Sequence, residues 1–343
     1  MNIFLLVLCT WKGCCIIMKI TMAHGSGGRQ TAQLIDEIFK KANSNPVLDM
    51  MEDSAVVAGD TKIAITTDSF VVTPLIFKGG DIGSLAVCGT VNDLLMRGAV
   101  PKYITSAYII EEGADTELLT KIAASMAETA KEAGVTVVAG DTKVIEGNGG
   151  IYINTTGVGF VNENTDIKSA NCKNGDVIIL SGTLGDHHAA ILSERMNVKN
   201  NIKSDCAPLG EMVQNMINAG IEIHAMRDVT RGGLGTVLNE FANVSKCGFE
   251  IAEEKIPVTP EVEGFCKILG LNPLHMGNEG KMIAVVAEND AEKAVQIIRK
   301  SKYGENAAII GTVTDGEGVT MLTRLGGKRT VTELYGEGLP RIC

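Results

Sequence analysis

Carboxylates on separate segments carry most of the chemistry open to this chain. Asp53 opens the stretch 53–57, Asp68 closes the apolar run 63–68, and Asp93 lies within 85–95. Asp141 follows the run 135–139, and Asp228 stands in the polar, glycine-rich stretch 227–235. Carboxylates with no His/Cys set beside them suit a hard, oxygen-seeking cation such as Mg²⁺ better than a transition metal. Asp141-Thr142-Lys143 places an acid, a hydroxyl and an ammonium directly after an apolar run, a grouping that suits Mg²⁺ and phosphate oxygens. Arg227, Asp228, Thr230 and Arg231 lead into a helix through Gly232 and Gly233, where an anionic group is favoured; Thr230 serves equally as an ordinary helix cap. Glu279 stands between Asn278 and Gly280, where a substrate approaching the backbone would meet a general base. A turn carboxylate paired with Lys281 explains it equally well. The chain ends at Cys343 behind Gly336, Gly338 and Pro340, which reads as a swinging arm with a thiol at its tip or as an ordinary frayed end.

Several elements must hold these groups. The glycine-rich loop His24-Gly25-Ser26-Gly27-Gly28 leads into a helix whose apolar stripe is Leu34, Ile35, Ile38 and Phe39. Backbone amides ahead of a helix cradle phosphate, although this loop is neither a Walker A sequence nor GxGxxG, and a plain turn fits too. The run 85–95 alternates poorly and predicts a helix, so Asp93 needs water or a partner there, and Asn92-Asp93 on a wet face would satisfy that need. A second amphipathic helix is expected from about Thr116 to Ala133, then a buried strand over Val135–Ala139. A long alternating strand follows over 151–161. The polar stretch 162–174 marks a boundary, after which 176–180 is a buried strand, and helices and strands alternate to about Leu325.

Composition narrows the class. The chain has 343 residues, beyond one comfortable core, so two domains are expected. Hydrophobic content of 45% with 21% charged residues describes a globular protein. A net charge of −10 and 4% aromatic residues argue against a nucleic-acid or anionic-membrane partner. Glycine is in excess, 39 residues against roughly 24 at usual frequencies. Nine cysteines include no CxxC pair, so Cys88, Cys172, Cys206, Cys247 and Cys266 read as small hydrophobes in a reducing, cytoplasmic setting. Residues 1–17 carry a short apolar run, lack a signal-peptide pattern, and read as a leader of doubtful significance.

Taken together, His24–Gly28, Thr67-Asp68, Val91-Asn92-Asp93-Leu94, Gly98-Ala99-Val100-Pro101, Gly140–Lys143, Arg227–Leu234 and Asn278–Lys281 resemble, in type and order, the aminoimidazole-ribonucleotide-synthetase-like ATP enzymes. The likeness runs from Met18 to Cys343. The terminal Pro340-Arg341-Ile342-Cys343 resembles the hydrogenase-maturation branch of that superfamily, the carbamoyl dehydratases. The resemblance implies an α+β, two-domain protein. Residues 18–165 would form a mixed α/β domain that binds ATP and pairs in a homodimer. Residues 166–335 would form an α/β layered domain, and 336–343 a mobile tail ending in a carrier cysteine. It further implies ATP-dependent dehydration of a carbamoyl group on Cys343 to a thiocyanate, the cyanide source for a [NiFe] hydrogenase iron centre. A HypF-like carbamoyltransferase would donate the group, and an iron-carrying HypC–HypD-like scaffold would receive the cyanide. On this likeness Cys343, Glu279 and Lys143 are catalytic. Gly25, Gly27, Gly28, Asp68, Asn92, Asp93, Asp141, Thr142, Asp228 and Thr230 contact ATP, and Asp53, Asp68, Asp93, Asp141 and Asp228 serve Mg²⁺. How the carboxylates divide between metal and nucleotide stays open.

Two departures stand out. Ser54 replaces a second acid that such proteins usually carry after Asp53, and His188 stands where they commonly have glycine. The rivals are another enzyme of the superfamily, such as a selenophosphate synthetase, and a non-catalytic ATP-gated carrier. No cysteine stands beside the loop 24–28, and neither a selenophosphate synthetase nor the other superfamily enzymes explain a terminal thiol.

Overall fold

The structure is a computed structural model that describes residues 28, 29, 32, 36, 48–53, 55–57 and 62–334. The leader 1–17, Gly25, Gly27, the stripe residues Leu34, Ile35, Ile38 and Phe39, Ser54 and the terminal arm with Cys343 lie outside the described residues.

The first half contributes β1 (Ala55–Val57), β2 (Lys62–Phe70), the hairpin β3 (Ile76–Phe77) and β4 (Gly80–Asp81), helix α1 (Ile82–Met96), β5 (Val100–Glu111), α2 (Thr116–Glu132), β6 (Thr136–Ile145) and β7 (Ile151–Val161). One sheet runs in the order β1-β2-β7-β5-β6, with β5 and β6 parallel and the other neighbours antiparallel. The second half adds β8 (Val177–Leu180), α3 (Asp186–Arg195), α4 (Gly210–Asn218), β9 (Ile223–Asp228), α5 (Gly233–Ser245), β10 (Gly248–Ala252), α6 (Pro260–Leu269), β11 (Met282–Val286), α7 (Ala291–Lys300), β12 (Ala308–Thr314), β13 (Val319–Leu322) and β14 (Lys328–Thr330). Its sheet runs β14-β13-β10-β12-β8-β11-β9.

Helix α1 organises the molecule. It is apolar nearly all round and buried on almost every side, as a helix enclosed by other elements must be. Asp81 caps it: its carboxylate accepts from Gly83 N and Ser84 N at 2.7 and 3.0 Å, while Ser84 Oγ accepts from Asp81 N at 3.0 Å. One face packs on β2, β5 and β7, and another meets β9 and α4 of the second half. A single core therefore runs from Phe70, Leu85 and Val91 through to Met212, Met226 and Met282.

The alternation expected over 151–161 is present: odd residues of β7 face α1 and even ones face away. The strand expected to be buried over Val135–Ala139 is not. β6 is exposed along its whole length, because it is an edge strand with β5 as its sheet neighbour. Beside it, Ile65, Tyr103, Ile109 and Phe160 leave an open apolar face, each 37% to 45% exposed. Single exposed apolar residues are ordinary, but a contiguous face signals a partner.

Candidate active site

Between the two halves lies a polar cavity of ≈ 260 Å³ lined by Asp53, Thr66, Thr67, Asp68, Gly89, Asp93, Asp228, Thr230, Arg231 and Glu279. Strand β2 aims Thr66 and Asp68 at α1, which returns Asp93 from its near side. The Thr66 hydroxyl donates to Asp93 Oδ2 at 2.7 Å, supplying the partner that an acid within an apolar helix needs. Gly89 is the gap that admits Asp68: a methyl there would lie 2.9 Å from the Phe70 ring and 3.5 Å from the Asp68 carboxylate. Asp228 ends β9. Beyond it Gly232 and Gly233 take φ of +82° and +64°, and a side chain on Gly233 would strike the Leu274 carbonyl at 2.6 Å. Helix α5 starts at this turn with no side-chain cap, so Thr230 is not spent capping it and lines the cavity instead. A larger cavity of ≈ 610 Å³, beside α6 and β13, has no such convergence of acids.

The carboxyls perturb one another. Burial pushes Asp53 up to about 6, with Glu240 and Glu52 adding to the rise while Arg227 opposes it. Burial raises Asp68, and Arg231 opposes the shift. Asp93 lies well above the usual range through burial and then the charges of Asp228, Asp53 and Asp68. Asp228 is raised by burial and Asp53, with Arg227 and Arg231 opposing. Glu279 is raised by burial, then by Cys206, Asp228, Asp68 and Asp205. Asp53 Oδ2 is buried with no hydrogen-bond partner among the described residues. A cluster so short of positive charge is one into which a cation fits. Among the described residues no three His, Cys, Asp or Glu side chains converge tightly enough to hold a metal ion by themselves. That pattern suits Mg²⁺, which commonly takes one or two carboxylates and completes its shell with phosphate oxygens and water.

Other expected residues lie elsewhere. Asp141, Thr142 and Lys143 sit within β6 rather than after it, and Asp141 accepts from Lys143 Nζ at 2.7 and 2.9 Å. Asp68 is in register with Thr155, Thr155 with Ser106, and Ser106 with Gly140. Asp141 is thus three strand spacings from the acids, roughly 14 Å, and on the opposite face of the sheet. This chain's own fold does not bring Asp141 or Lys143 to its own cavity. Asn92 is buried, and its amide is engaged by backbone: it donates to Ala207 O at 3.0 Å and accepts from Leu209 N at 2.9 Å. Gly28, with φ of +75°, abuts the Leu334 carbonyl, and Arg29 N donates to that oxygen at 3.2 Å.

Arg227 is not free for an anion. It pairs through Nε with Asp53 Oδ1 at 2.9 Å, with Glu52 at 3.6 Å and with Glu240, and lies over the Phe241 ring. Glu279 is not a turn carboxylate paired with Lys281, whose ammonium instead meets Asp205 Oδ2 at 3.4 Å. His188 needs no positive φ; that conformation falls on Gly185, and His188 is buried one turn into α3. Asp205, beside Glu279, stands in an irregular segment without motif or periodicity to mark it; Cys206 next to it reads from sequence only as a small hydrophobe.

Two strand-rich halves with a shared core and an acidic cleft between them define a class. Residues 51–161 match the N-terminal domain model, and residues 173–323 the C-terminal domain model, of the AIR synthase related proteins. The "Carbamoyl dehydratase HypE" of Rhodobacter capsulatus is 44% identical over 335 residues, 95% of this chain and 98% of that protein. A crystal structure of a HypE-HypF complex superposes with a TM-score of 0.84 at 47% identity, covering 88% of this chain and 99% of that one. A HypE crystal structure in complex with ATP gives 0.80 at 41% identity, covering 93% and 98%. The chain belongs to the HypE carbamoyl dehydratase family. Among the described residues no helix is long and apolar enough to cross a membrane.

Proposed function

We propose that this protein is an ATP-dependent carbamoyl dehydratase of hydrogenase maturation, and that Cys343 carries the group on which it acts. The observation that carries this reading is the buried acidic cavity with Glu279 in its wall, in a chain 44% identical to a named carbamoyl dehydratase. The amide oxygen of an S-carbamoyl group is a poor leaving group. Transfer of the γ-phosphoryl of ATP to that oxygen gives an O-phosphorylated imidate and ADP, with loss of one nitrogen proton. Breaking the C–O bond then releases phosphate, and loss of the second proton leaves the nitrile on sulfur. Glu279 takes the nitrogen proton, as a general base at a buried position. Burial, Cys206, Asp228 and Asp68 raise its carboxyl well above the usual range, and positive charge entering beside Asp68 and Asp228 would oppose that rise.

One or two of Asp53, Asp68, Asp93 and Asp228 would hold Mg²⁺, with phosphate oxygens and water completing its shell. When bound, the ion supplies neutralisation of phosphate charge. Thr230 and Arg231, at the start of α5, suit nucleotide phosphates.

Asp141 and Lys143 enter this reading through a second copy of the chain. Their stranding on the far face supports a homodimer, as does the open apolar face of Ile65, Tyr103, Ile109 and Phe160, which a second sheet would cover; Thr142, between them, points to the other face of β6. The partners are a HypF-like carbamoyl donor, in keeping with the HypE-HypF complex of a relative, and an iron-carrying HypC–HypD-like scaffold. The test is peptide mapping of the protein after exposure to the donor enzyme and carbamoyl phosphate. Modification at Cys343 that loses water on addition of Mg-ATP supports the proposal; modification at another cysteine would reject Cys343 as the carrier.

A further inference from the structure

We infer that Asp205 is a positioning residue for Glu279, and that with Asn92 it clamps the Glu279 main chain from both sides. This rests on the reading of Glu279 as proton acceptor. Asp205 Oδ1 accepts from Glu279 N at 3.1 Å. On the other side the Glu279 carbonyl accepts from Ala207 N and from Asn92 Nδ2, each at 3.4 Å. The same Asn92 amide holds Ala207 O and Leu209 N, so α1 fixes the segment 205–209 and that segment fixes Glu279. Gly280 lets the two backbones touch: a methyl group there would lie 1.9 Å from the Asp205 carbonyl.

The Asp205 side chain is 5% exposed, and its second oxygen has the Lys281 ammonium at 3.4 Å as ion-pair partner. Its two oxygens therefore have separate duties, Oδ1 holding the Glu279 peptide and Oδ2 facing Lys281. A buried carboxylate retained only as a counter-ion for Lys281 would have no need of the first contact. A carboxyl placed by such main-chain contacts keeps its aim when substrate enters, and misplacement by about 1 Å costs on the order of 10²-fold in rate.

Asparagine at 205 keeps an acceptor for Glu279 N–H and removes the charge facing Lys281; alanine removes both. The experiment measures single-turnover dehydration of the S-carbamoylated protein by intact mass, with ATP affinity from calorimetry on the same samples. Asp205→Ala should slow water loss by roughly 10²-fold while carbamoylation and ATP affinity stay within about threefold of wild type. Asp205→Asn should recover to within about tenfold of wild type, and it carries the test alone where the alanine variant fails to fold. Asparagine as slow as alanine, or slow where only it folds, would assign Asp205 to the ion pair and overturn the clamp. Wild-type dehydration by Asp205→Ala, with Glu279→Gln stalled, would also overturn it while leaving the proposed function standing. Normal dehydration by Glu279→Gln would instead remove the reading on which the clamp rests.

Discussion

If Asp141 and Lys143 act on a neighbour's cavity, splitting the dimer must stop the chemistry without touching a single site residue. Tyr103 is suited to this test. It stands on the open face of β5, 45% exposed, against the Phe160 ring at 6.5 Å, and it is not in the cavity. An aromatic side chain covers roughly 150–250 Å², so a partner could cover about 70–110 Å² of Tyr103 per copy. At about 25 cal/mol/Å² this is about 2–3 kcal/mol per copy and about 4–6 kcal/mol per two-fold dimer. Tyr103→Asp should weaken dimerisation by roughly 10³- to 10⁴-fold, more if the new charge is desolvated. Sedimentation velocity across a dilution series reads the assembly, and ADP release in the presence of carbamoyl donor reads the chemistry. Both should fall together and recover together at high protein concentration. A Tyr103→Asp protein that is monomeric yet fully active would refute the shared site.

Further outcomes follow from individual residues. Cys343→Ala should bind ATP with wild-type affinity by calorimetry and accept no carbamoyl group by mass spectrometry; lost ATP binding would count against a separable carrier arm. Glu279→Gln should take up the carbamoyl group and slow water loss by about 10²- to 10⁴-fold in a single-turnover assay. Asp53 has a folded pKa raised from 3.8 to about 6, so its contribution to stability is complete below about pH 4 and lost as pH rises through about 6. Asp93 and Asp228 shift in the same direction. The rise in Tm on adding Mg-ATP should therefore be larger at pH 7.5 than at pH 5, and equal rises in scanning calorimetry would contradict this. Gly280→Ala should cost about 1–3 kcal/mol in denaturant unfolding, since neither the Asp205 backbone nor β11 can readily give way.

Local pattern carried much of the fold. The alternation of β7, the amphipathic α2 and the uniformly apolar α1 are each visible as periodicity, and each forms where its period demands. The exposure of β6 was not legible. Val137 and Val138 look the same in sequence whether their own chain or another covers them. The aspartates were legible as types, yet their order says nothing about which face of a sheet each occupies, so Asp141 and Lys143 could not be told apart from Asp68 and Asp93. Asp205 escaped for another reason: its contact with Glu279 spans 74 residues and ends on a main-chain N–H, which leaves no trace in spacing. Arg227 looked like an anion ligand because its carboxylate partners come from two distant segments, Glu52-Asp53 and Glu240.

The proposed activity is dehydration of a carbamoyl group on Cys343 at the expense of ATP. Intact-protein mass spectrometry with peptide mapping tests it most directly, after incubation with the carbamoyltransferase and carbamoyl phosphate, before and after excess Mg-ATP. The expected result is a carbamoyl addition on the C-terminal peptide that then loses one water. An addition that persists unchanged in excess Mg-ATP would contradict it, leaving a carrier that performs no dehydration.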